Sequence, residues 1–286
     1  MSINEHVDWR AELGDGTRVA LIQAGTFTSD AGTVFGPVPR ALWERLVADE
    51  LNPDATLTQA ANCLLVETPA GRVLVETGVG ERLDARRSAQ RGVRGPAILP
   101  ALREAGFDPG SVDAVAVSHL HWDHAGGFLA ADGSPAFPRA RIVAQRVEWS
   151  FALGDNPRLV ASYEQDELRL VEASGLAGAA DGQEELIPGV EVIRTGGHSG
   201  GHQAIIVRGS SGTVGFFGDL CMRGWNANPR WLPSFDDFPL TSVEVKASLF
   251  RRAAEEHWTV VLSHEPRRPI GHLTADHDRF RFEELA

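Results

Sequence analysis

The sequence predicts an α+β fold in which mixed β-sheets are flanked by helices. Short runs rich in Val and Ile recur along the chain, and Gly, Pro, Asp or Ser bounds each of them, as expected for strands that end in turns. Helical patterns fall singly between pairs of neighbouring strands. Because this order departs from a strict strand–helix alternation, it favours mixed sheets with helices outside over a doubly wound parallel sheet.

The order of the elements follows from these patterns. Strands are predicted, in chain order, over 18–25, 62–68, 71–78, 113–119, 140–145, 190–196, 203–209, 213–219 and 259–264. Helices are predicted over 96–106, 145–154 and 241–257. In the last helix apolar residues recur at helical spacing, and Thr241 or Ser242 followed by Glu244 is typical of a helix start.

A single domain is expected over residues 1–286, with its core between residues 18 and 265. The 286 residues are 43% hydrophobic and 23% charged, close to the average of globular proteins. Both halves supply several strands, and no segment between them has the composition of a linker. A chain of this length can bury a full core without disulfides.

Charge and cysteine content exclude several classes of protein. The net charge of −12 repels phosphate backbones and anionic membrane surfaces, so neither nucleic acid nor a membrane is an expected partner. The start of the chain does not resemble a leader, and no run of about 18 apolar residues occurs. Cys63 and Cys221 are the only cysteines, too few for a disulfide framework or a cysteine-based zinc site. We therefore expect a soluble, cytoplasmic protein.

The segment SHLHWDHAGG at 118–127 is the strongest chemical signal in the sequence. It places His119, His121, Asp123 and His124 close together in the chain. In an extended segment His119 and His121 point to the same side, because side chains alternate along a strand. The Gly-rich continuation favours a turn, after which Asp123 and His124 can face a second point nearby. Imidazole and carboxylate ligands suit zinc, and also Mn, Fe or Co.

Three further residues with ligand-type side chains follow predicted strands. His198 lies in the Gly-rich segment TGGHSGGH, Asp219 ends the run FFGD, and His264 ends the run VVLSH. Each alone has an ordinary alternative: a turn residue, a turn cap and a hydrogen-bonded core histidine, respectively. Together with the four residues of the first segment they make up the ligand inventory of a two-metal site.

These seven residues resemble the ligand set of the metallo-β-lactamase superfamily, whose HxHxDH signature stands here at 119–124. The similarity runs over residues 18–265. It implies an αββα sandwich, in which two mixed sheets are flanked by helices and two metals lie at one edge of the sheets. It also implies the ligands of each metal: His119, His121 and His198 for one, Asp123, His124 and His264 for the other, with Asp219 bridging the two.

Within this superfamily the sequence is most similar to the branch of YtnP-like quorum-quenching lactonases and methyl parathion hydrolases. FGPVPRALWERL at 35–46 and NPRWLPSFDDFPLTSVEVK at 228–246 carry this similarity beside the histidine segments. Two acids depart from the usual pattern, because Glu76 and Glu265 stand where an Asp is usual. We expect both to contact metal ligands from outside the centre, and His202 to make a structural hydrogen bond inside its turn.

The resemblance implies a metal-dependent hydrolase that opens lactones such as N-acyl homoserine lactones or cleaves related esters. A hydroxide bridging two divalent ions, most suitably zinc, would attack the carbonyl, and Asp123 or Asp219 would return a proton to the leaving group. Three alternatives stay open. They are a phosphotriester or aryl-ester hydrolase of the same branch, a metal-loaded protein that binds ligands without turnover, and an iron- or thiol-dependent enzyme.

Two long segments, 26–47 and 222–240, are dense in Gly, Pro and aromatic residues. Loops of this length in a domain are either functional or disordered, and the aromatic content favours function. We expect both loops to face a small-molecule substrate, in an apolar pocket lined by Phe35, Trp122, Trp225 and Trp231. The same loops would equally suit packing against a second subunit, which makes a homodimer the alternative use of this surface.

Overall fold

Two seven-stranded β-sheets form the centre of the computed structural model, which describes residues 8–159 and 161–285. In the first sheet the strands lie in chain order: β1 (Arg10–Glu12), β2 (Arg18–Asp30), β3 (Thr56–Thr68), β4 (Gly71–Val75), β5 (Ala114–Ala116), β6 (Arg141–Gln145) and β7 (Ala177–Ala180). Strands β1 to β4 pair antiparallel, and β4 to β7 pair parallel. The sheet is therefore mixed, as the sequence predicts.

The second sheet is also mixed. Its strands are β8 (Gln183–Ile187), β9 (Val190–Arg194), β10 (Gln203–Gly209), β11 (Gly212–Phe216), β12 (Thr259–Val261), β13 (Ile270–Asp276) and β14 (Arg279–Glu284). Only the β11–β12 pair is parallel. The last two strands extend the sheet beyond residue 265, where the sequence pattern predicts no strand.

Eight α-helices are assigned among the described residues. They are α1 (Ala31–Phe35), α2 (Arg40–Leu46), α3 (Ala85–Gln90), α4 (Ile98–Glu104), α5 (Trp122–Ala125), α6 (Arg146–Ala152), α7 (Gln165–Ala173) and α8 (Pro239–Glu255). The three predicted helices correspond to α4, α6 and α8. Helix α8 begins at Pro239, before the predicted Thr241 or Ser242, because proline suits the first turn of a helix. No helix in the described part of the chain is long and apolar enough to cross a membrane.

Three apolar layers hold this architecture together. One layer lies between the sheets and joins residues such as Leu64 and Val75 of the first sheet to Val192 and Phe216 of the second. A second layer packs α4, α6 and α7 on the outer face of the first sheet, and a third packs α8 on the outer face of the second. The predicted αββα sandwich of two mixed sheets flanked by helices is thus confirmed.

The segment 26–47 is not the loop that its composition suggests. It continues β2 to Asp30 and then forms α1 and α2. The paired ends of β2 and β3 make a two-stranded ribbon, in which Phe27 lies directly opposite Gln59. Because opposite residues in an antiparallel pair point to the same face, this ribbon presents Phe27 and Gln59 together.

Candidate metal centre

The seven predicted ligands follow strand ends at one edge of the sandwich. His119 to His124 follow β5, His198 follows β9, and His264 follows β12. Strand β11 ends at Phe216, earlier than predicted, and the chain turns into a short 3-10 helix that carries Asp219. The turn requires Gly218, whose φ is +49° and where a Cβ would lie 2.5 Å from the Cβ of Ser118.

The segment that carries His119 and His121 is held by side chains as well as by β10, whose Gln203 N–H donates to the Ser118 carbonyl at 2.8 Å. The backbone N–H of Ser118 donates to Glu76 Oε1 at 2.9 Å, and that of Leu120 donates to Glu148 Oε1 at 3.1 Å. His121 then precedes helix α5, whose first turn presents Asp123 and His124. Buried N–H groups need acceptors, so these two carboxylates fix the extended shape of the segment.

The side chains gather into two adjoining groups. Ligand atoms of His119, His121 and His198 lie within 4.8 Å of one another, as do those of Asp123, His124 and His264. Asp219 reaches both groups. Its Oδ1 lies 3.1 Å from His124 Nε2 and 3.0 Å from His264 Nε2, whereas its Oδ2 lies 3.4 Å from His198 Nε2. One carboxylate therefore shares its two oxygens between the two groups.

The side chains of the two groups fit divalent cations, because the lone pairs of several imidazole rings point towards one another. His264 Nδ1 lies 2.8 Å from the Ala60 carbonyl, an acceptor, so the neutral ring keeps its lone pair on Nε2. That Nε2 lies 3.1 Å from His124 Nε2, and His198 Nε2 lies 3.1 Å from His121 Nδ1. Among residues 8–159 and 161–285, the buried Nε2 of His119 finds no hydrogen-bond partner. A divalent cation in each group would satisfy the nitrogens of that group.

The titration behaviour of the centre agrees with this arrangement. Burial, followed by the neighbouring imidazoles, lowers the pKa of His119 and of His121 well below the usual value, which keeps their lone pairs available. Burial opposes ionisation of Asp219, but His124, His264 and His198 together hold its pKa well below the usual range. Asp219 is therefore an ionised, acceptor-only group between the imidazoles.

Outer contacts fix the orientation of several ligand rings. Ser118 Oγ lies 2.9 Å from His119 Nδ1, and Asp236 Oδ1 lies 2.8 Å from His198 Nδ1. Glu76 Oε1 lies 3.4 Å from Nδ1 of His124, one of the candidate ligands. Such partners select the tautomer that presents the other nitrogen to a metal. Sequence reasoning did not single out Asp236.

Glu265 and His202, the other two residues expected around the metal ligands, make different contacts from Glu76. The expectation that Glu265 contacts a metal ligand is not met, because its carboxylate accepts from Arg223 Nε at 2.7 Å and from the backbone N–H of Arg267 at 3.1 Å. Arg223 is fully buried and attracts this acid away from the centre. His202 Nδ1 lies 2.7 Å from Thr195 Oγ1, which is the hydrogen bond inside the turn that the sequence suggests.

Glu148 of α6 ties the two histidine segments together, and sequence reasoning missed it. Its Oε1 accepts from the Leu120 N–H and the Tyr163 hydroxyl, both at 3.1 Å. Its Oε2 accepts from Ser199 Oγ at 2.7 Å and from the Gly201 N–H at 2.9 Å. Burial raises the pKa of Glu148, while these four donors act in the opposite direction. Its position in an amphipathic helical pattern gave no signal of this role.

A cavity of about 220 Å³ opens over the cluster. Of the predicted aromatic residues, only Trp122 lines it, packed edge-to-face at 5.1 Å on Phe27. Phe35 was predicted to face substrate, but it stacks on Trp43 at 5.0 Å and packs against Trp225 and Trp231 in a separate apolar cluster. The apolar wall comes instead from other residues of the two segments 26–47 and 222–240: Phe27, Met222 and Phe235.

An αββα sandwich with two adjoining histidine and carboxylate groups at one edge defines a protein built to hold divalent metal ions. The comparison with protein families agrees with that class. The sequence profile of the metallo-beta-lactamase superfamily matches residues 58–264, and the chain belongs to this superfamily.

Relatives and solved structures extend this result. The chain is 30% identical to an N-acyl homoserine lactonase of Bacillus cereus over 186 residues, which cover 60% of this chain and 68% of that protein. It is 28% identical to the N-acyl homoserine lactonase AiiB of Agrobacterium fabrum, covering 76% of this chain and 83% of that one. A probable metal-dependent hydrolase from Staphylococcus aureus superposes with a TM-score of 0.86 at 23% identity, covering 96% and 100% of the two chains. AidC, a dizinc quorum-quenching lactonase, superposes with a TM-score of 0.82 at 20% identity, covering 98% and 97%. These two structural likenesses show the shared fold.

Proposed function

We propose that the chain is a metal-dependent hydrolase that opens the lactone ring of N-acyl homoserine lactones. The observation that carries the proposal is the position of Asp219, whose two oxygens face the two histidine groups at the floor of a cavity with aromatic walls. The relatives with about 30% identity are named for this activity.

Two divalent ions, for which we propose zinc, would be held by His119, His121 and His198 on one side and by Asp123, His124 and His264 on the other, with Asp219 between them. Ions bound there would lower the pKa of water towards neutrality and polarise a carbonyl oxygen.

The protein's own groups supply the remaining requirements of the reaction. Asp219 stays ionised and orients the two groups relative to each other. Asp123 is the more open of the two central carboxylates, with 12% of its side chain exposed against 4% for Asp219. We therefore assign to Asp123 the return of a proton to the alkoxide that leaves when the ring opens. Phe27, Trp122 and Phe235 form an apolar wall suited to an acyl chain.

The test is metal content per chain together with turnover of a lactone, a p-nitrophenyl ester and a phosphotriester by the same sample. We expect about two divalent ions and chelator-sensitive lactone hydrolysis faster than that of the other two substrates. Asp219→Ala should abolish turnover while the protein stays folded, whereas Asp181→Ala, which removes an exposed carboxylate, should leave turnover unchanged. Full turnover in metal-replete Asp219→Ala protein would refute the two-metal scheme, and faster phosphotriester cleavage would refute the substrate assignment.

A further inference from the structure

The amide side chain of Gln59 is a polar group of the cavity that the proposed chemistry leaves without a role. Gln59 is 1% exposed and lines the cavity together with Asp219, Met222 and His264. The next residue, Ala60, donates its N–H to the carbonyl of His264 and accepts from the imidazole of His264 through its own carbonyl. Gln59 is thereby fixed beside one ligand of the metal centre.

Arg223 fixes the orientation of this amide. Arg223 Nη1 donates to Gln59 Oε1 at 3.1 Å and to the Thr58 carbonyl at 3.1 Å. A guanidinium only donates, so the amide must turn its oxygen towards Arg223 and its NH2 group away. Arg223 cannot move aside easily, because it is fully buried and pairs with Glu50 and Glu265.

The NH2 group of Gln59 is therefore a fixed donor without a protein acceptor. No acceptor in residues 8–159 or 161–285 takes a hydrogen bond from Gln59 Nε2. Most of the other polar groups that line the cavity differ from it, and the indole N–H of half-buried Trp122 is a further donor there. Asp30, Asp123 and Asp219 are carboxylates, which accept, and the Thr33 hydroxyl already donates to the Asp30 carbonyl. The hydroxyls of Ser29 and Ser162 are half-buried, and each can both donate and accept, so neither is a donor of fixed direction.

We infer that Gln59 Nε2 donates a hydrogen bond to the acyl-amide carbonyl oxygen of the substrate, an inference that rests on the proposed lactonase function. An N-acyl homoserine lactone has two carbonyl groups, and the ring carbonyl lies at the reaction centre. The amide carbonyl enters the cavity with the apolar chain, where a buried oxygen without a donor is costly. Gln59 is the preoriented donor that meets this need, so it selects lactones that carry an acylamino group.

Gln59→Met and Gln59→Glu test the inference with two substrates. Gln59→Met keeps the length of the side chain without a donor, and Gln59→Glu keeps the contact with Arg223 but turns an acceptor towards the substrate. For N-hexanoyl homoserine lactone we expect kcat/KM to fall about 10-fold in Gln59→Met and further in Gln59→Glu. For a γ-lactone with an alkyl chain but no amide, kcat/KM should stay within about 2-fold of the wild type. Gln90→Met, the same change at the exposed end of α3 outside the cavity, is the matched control and should change kcat/KM for neither substrate.

Binding provides a readout that does not depend on turnover. Calorimetry with the ring-opened product N-hexanoyl homoserine should show about 10-fold weaker binding to Gln59→Met, with unchanged metal content. The melting temperature should fall moderately, because Arg223 Nη1 keeps the Thr58 carbonyl as an acceptor but loses the amide oxygen. An equal loss for both lactones, or no loss for either, would overturn the assignment of Gln59 while wild-type lactonase activity stands. A wild-type protein that hydrolyses neither lactone would instead overturn the proposed function, and the inference with it.

Discussion

Replacing Glu148 by Gln should loosen the metal centre without touching a metal ligand. The substitution keeps the shape of the side chain but turns one acceptor oxygen into an NH2 donor. The hydroxyls of Tyr163 and Ser199 can reverse their hydrogen bonds, whereas the backbone N–H groups of Leu120 and Gly201 cannot. Whichever way the amide is turned, one backbone N–H loses its acceptor.

The magnitude follows from the bond that is lost. A hydrogen bond to a charged group contributes about 1.5–3 kcal/mol, and we expect Glu148→Gln to lower the free energy of unfolding by that amount. Glu148→Ala removes all four hydrogen bonds and leaves a void, so it should cost about 3–5 kcal/mol. Because Leu120 and Gly201 lie in the two histidine segments, metal affinity should fall about 10- to 100-fold in Glu148→Gln.

The assay is chemical denaturation of the metal-free protein, combined with zinc titration against a chelating competitor. Tyr163→Phe removes one hydroxyl donor and leaves both backbone bonds, so its loss should be smaller, about 1 kcal/mol. Glu172→Gln, an exposed change on α7, should have no effect on either measurement. Wild-type metal affinity in Glu148→Gln would refute the reasoning that this carboxylate positions both segments.

Three further predictions concern packing and titration. Burial lowers the pKa of Lys246, the only lysine, from 10.5 to about 8, so the unfolded chain holds this proton at higher pH than the folded one. Between pH 8 and 10.5 the free energy of unfolding of the wild type should therefore rise by about 3 kcal/mol relative to that of Lys246→Met. Parallel pH profiles of the two unfolding free energies would contradict this prediction. Gly201→Ala would place a Cβ 2.3 Å from the Glu148 backbone nitrogen, and it should lower the free energy of unfolding in denaturant by about 2–3 kcal/mol. In Gly212→Ala the nearest atom would lie 3.4 Å from the new Cβ, so the loss should be smaller. Equal losses in the two variants would contradict the steric clash at Gly201. Cys63 and Cys221 are fully buried, and burial raises the pKa of the Cys221 thiol to about 12. Neither cysteine should therefore react with a thiol reagent at pH 8 until the protein is unfolded. Rapid labelling of the folded protein would contradict this prediction.

The sequence patterns were sufficient for a mixed α+β fold and for the grouping of the first four candidate ligands, whereas the division of all seven between two metals is implied by the resemblance. Alternation of side chains and the spacing of His119, His121, Asp123 and His124 are local properties, so the pattern carries them. The later candidate ligands, such as His198 and His264, lie at the ends of predicted strands. Because strand ends lie together at the edge of a sheet, these residues are expected near one another. The αββα sandwich itself is implied by the resemblance to the metallo-β-lactamase superfamily, and the structure confirms it.

Contacts set by tertiary packing could not be predicted. Glu148 belongs to a short helix and has the appearance of a surface acid until α6 is placed against both histidine segments. Phe35 and Trp225 suit a substrate pocket or an apolar cluster equally well by composition, and stacking with Trp43 decides for the cluster. Glu265 adjoins a ligand in sequence, but the fully buried Arg223 lies on its other side and pairs with it.

The negative charge of the candidate metal centre matches two divalent ions better than one. Four carboxylates contact the imidazoles: Glu76, Asp123, Asp219 and Asp236. Within the part of the chain that the structure describes, no lysine or arginine forms an ion pair with any of them. Buried charge without compensation is strongly unfavourable. Burial lowers the pKa of His124 and His198, but the neighbouring carboxylates outweigh it and raise the pKa of both. Two divalent ions offset all four negative charges while the histidines remain neutral ligands, whereas a single ion would leave half of the charge to protons that compete with it for the same nitrogens.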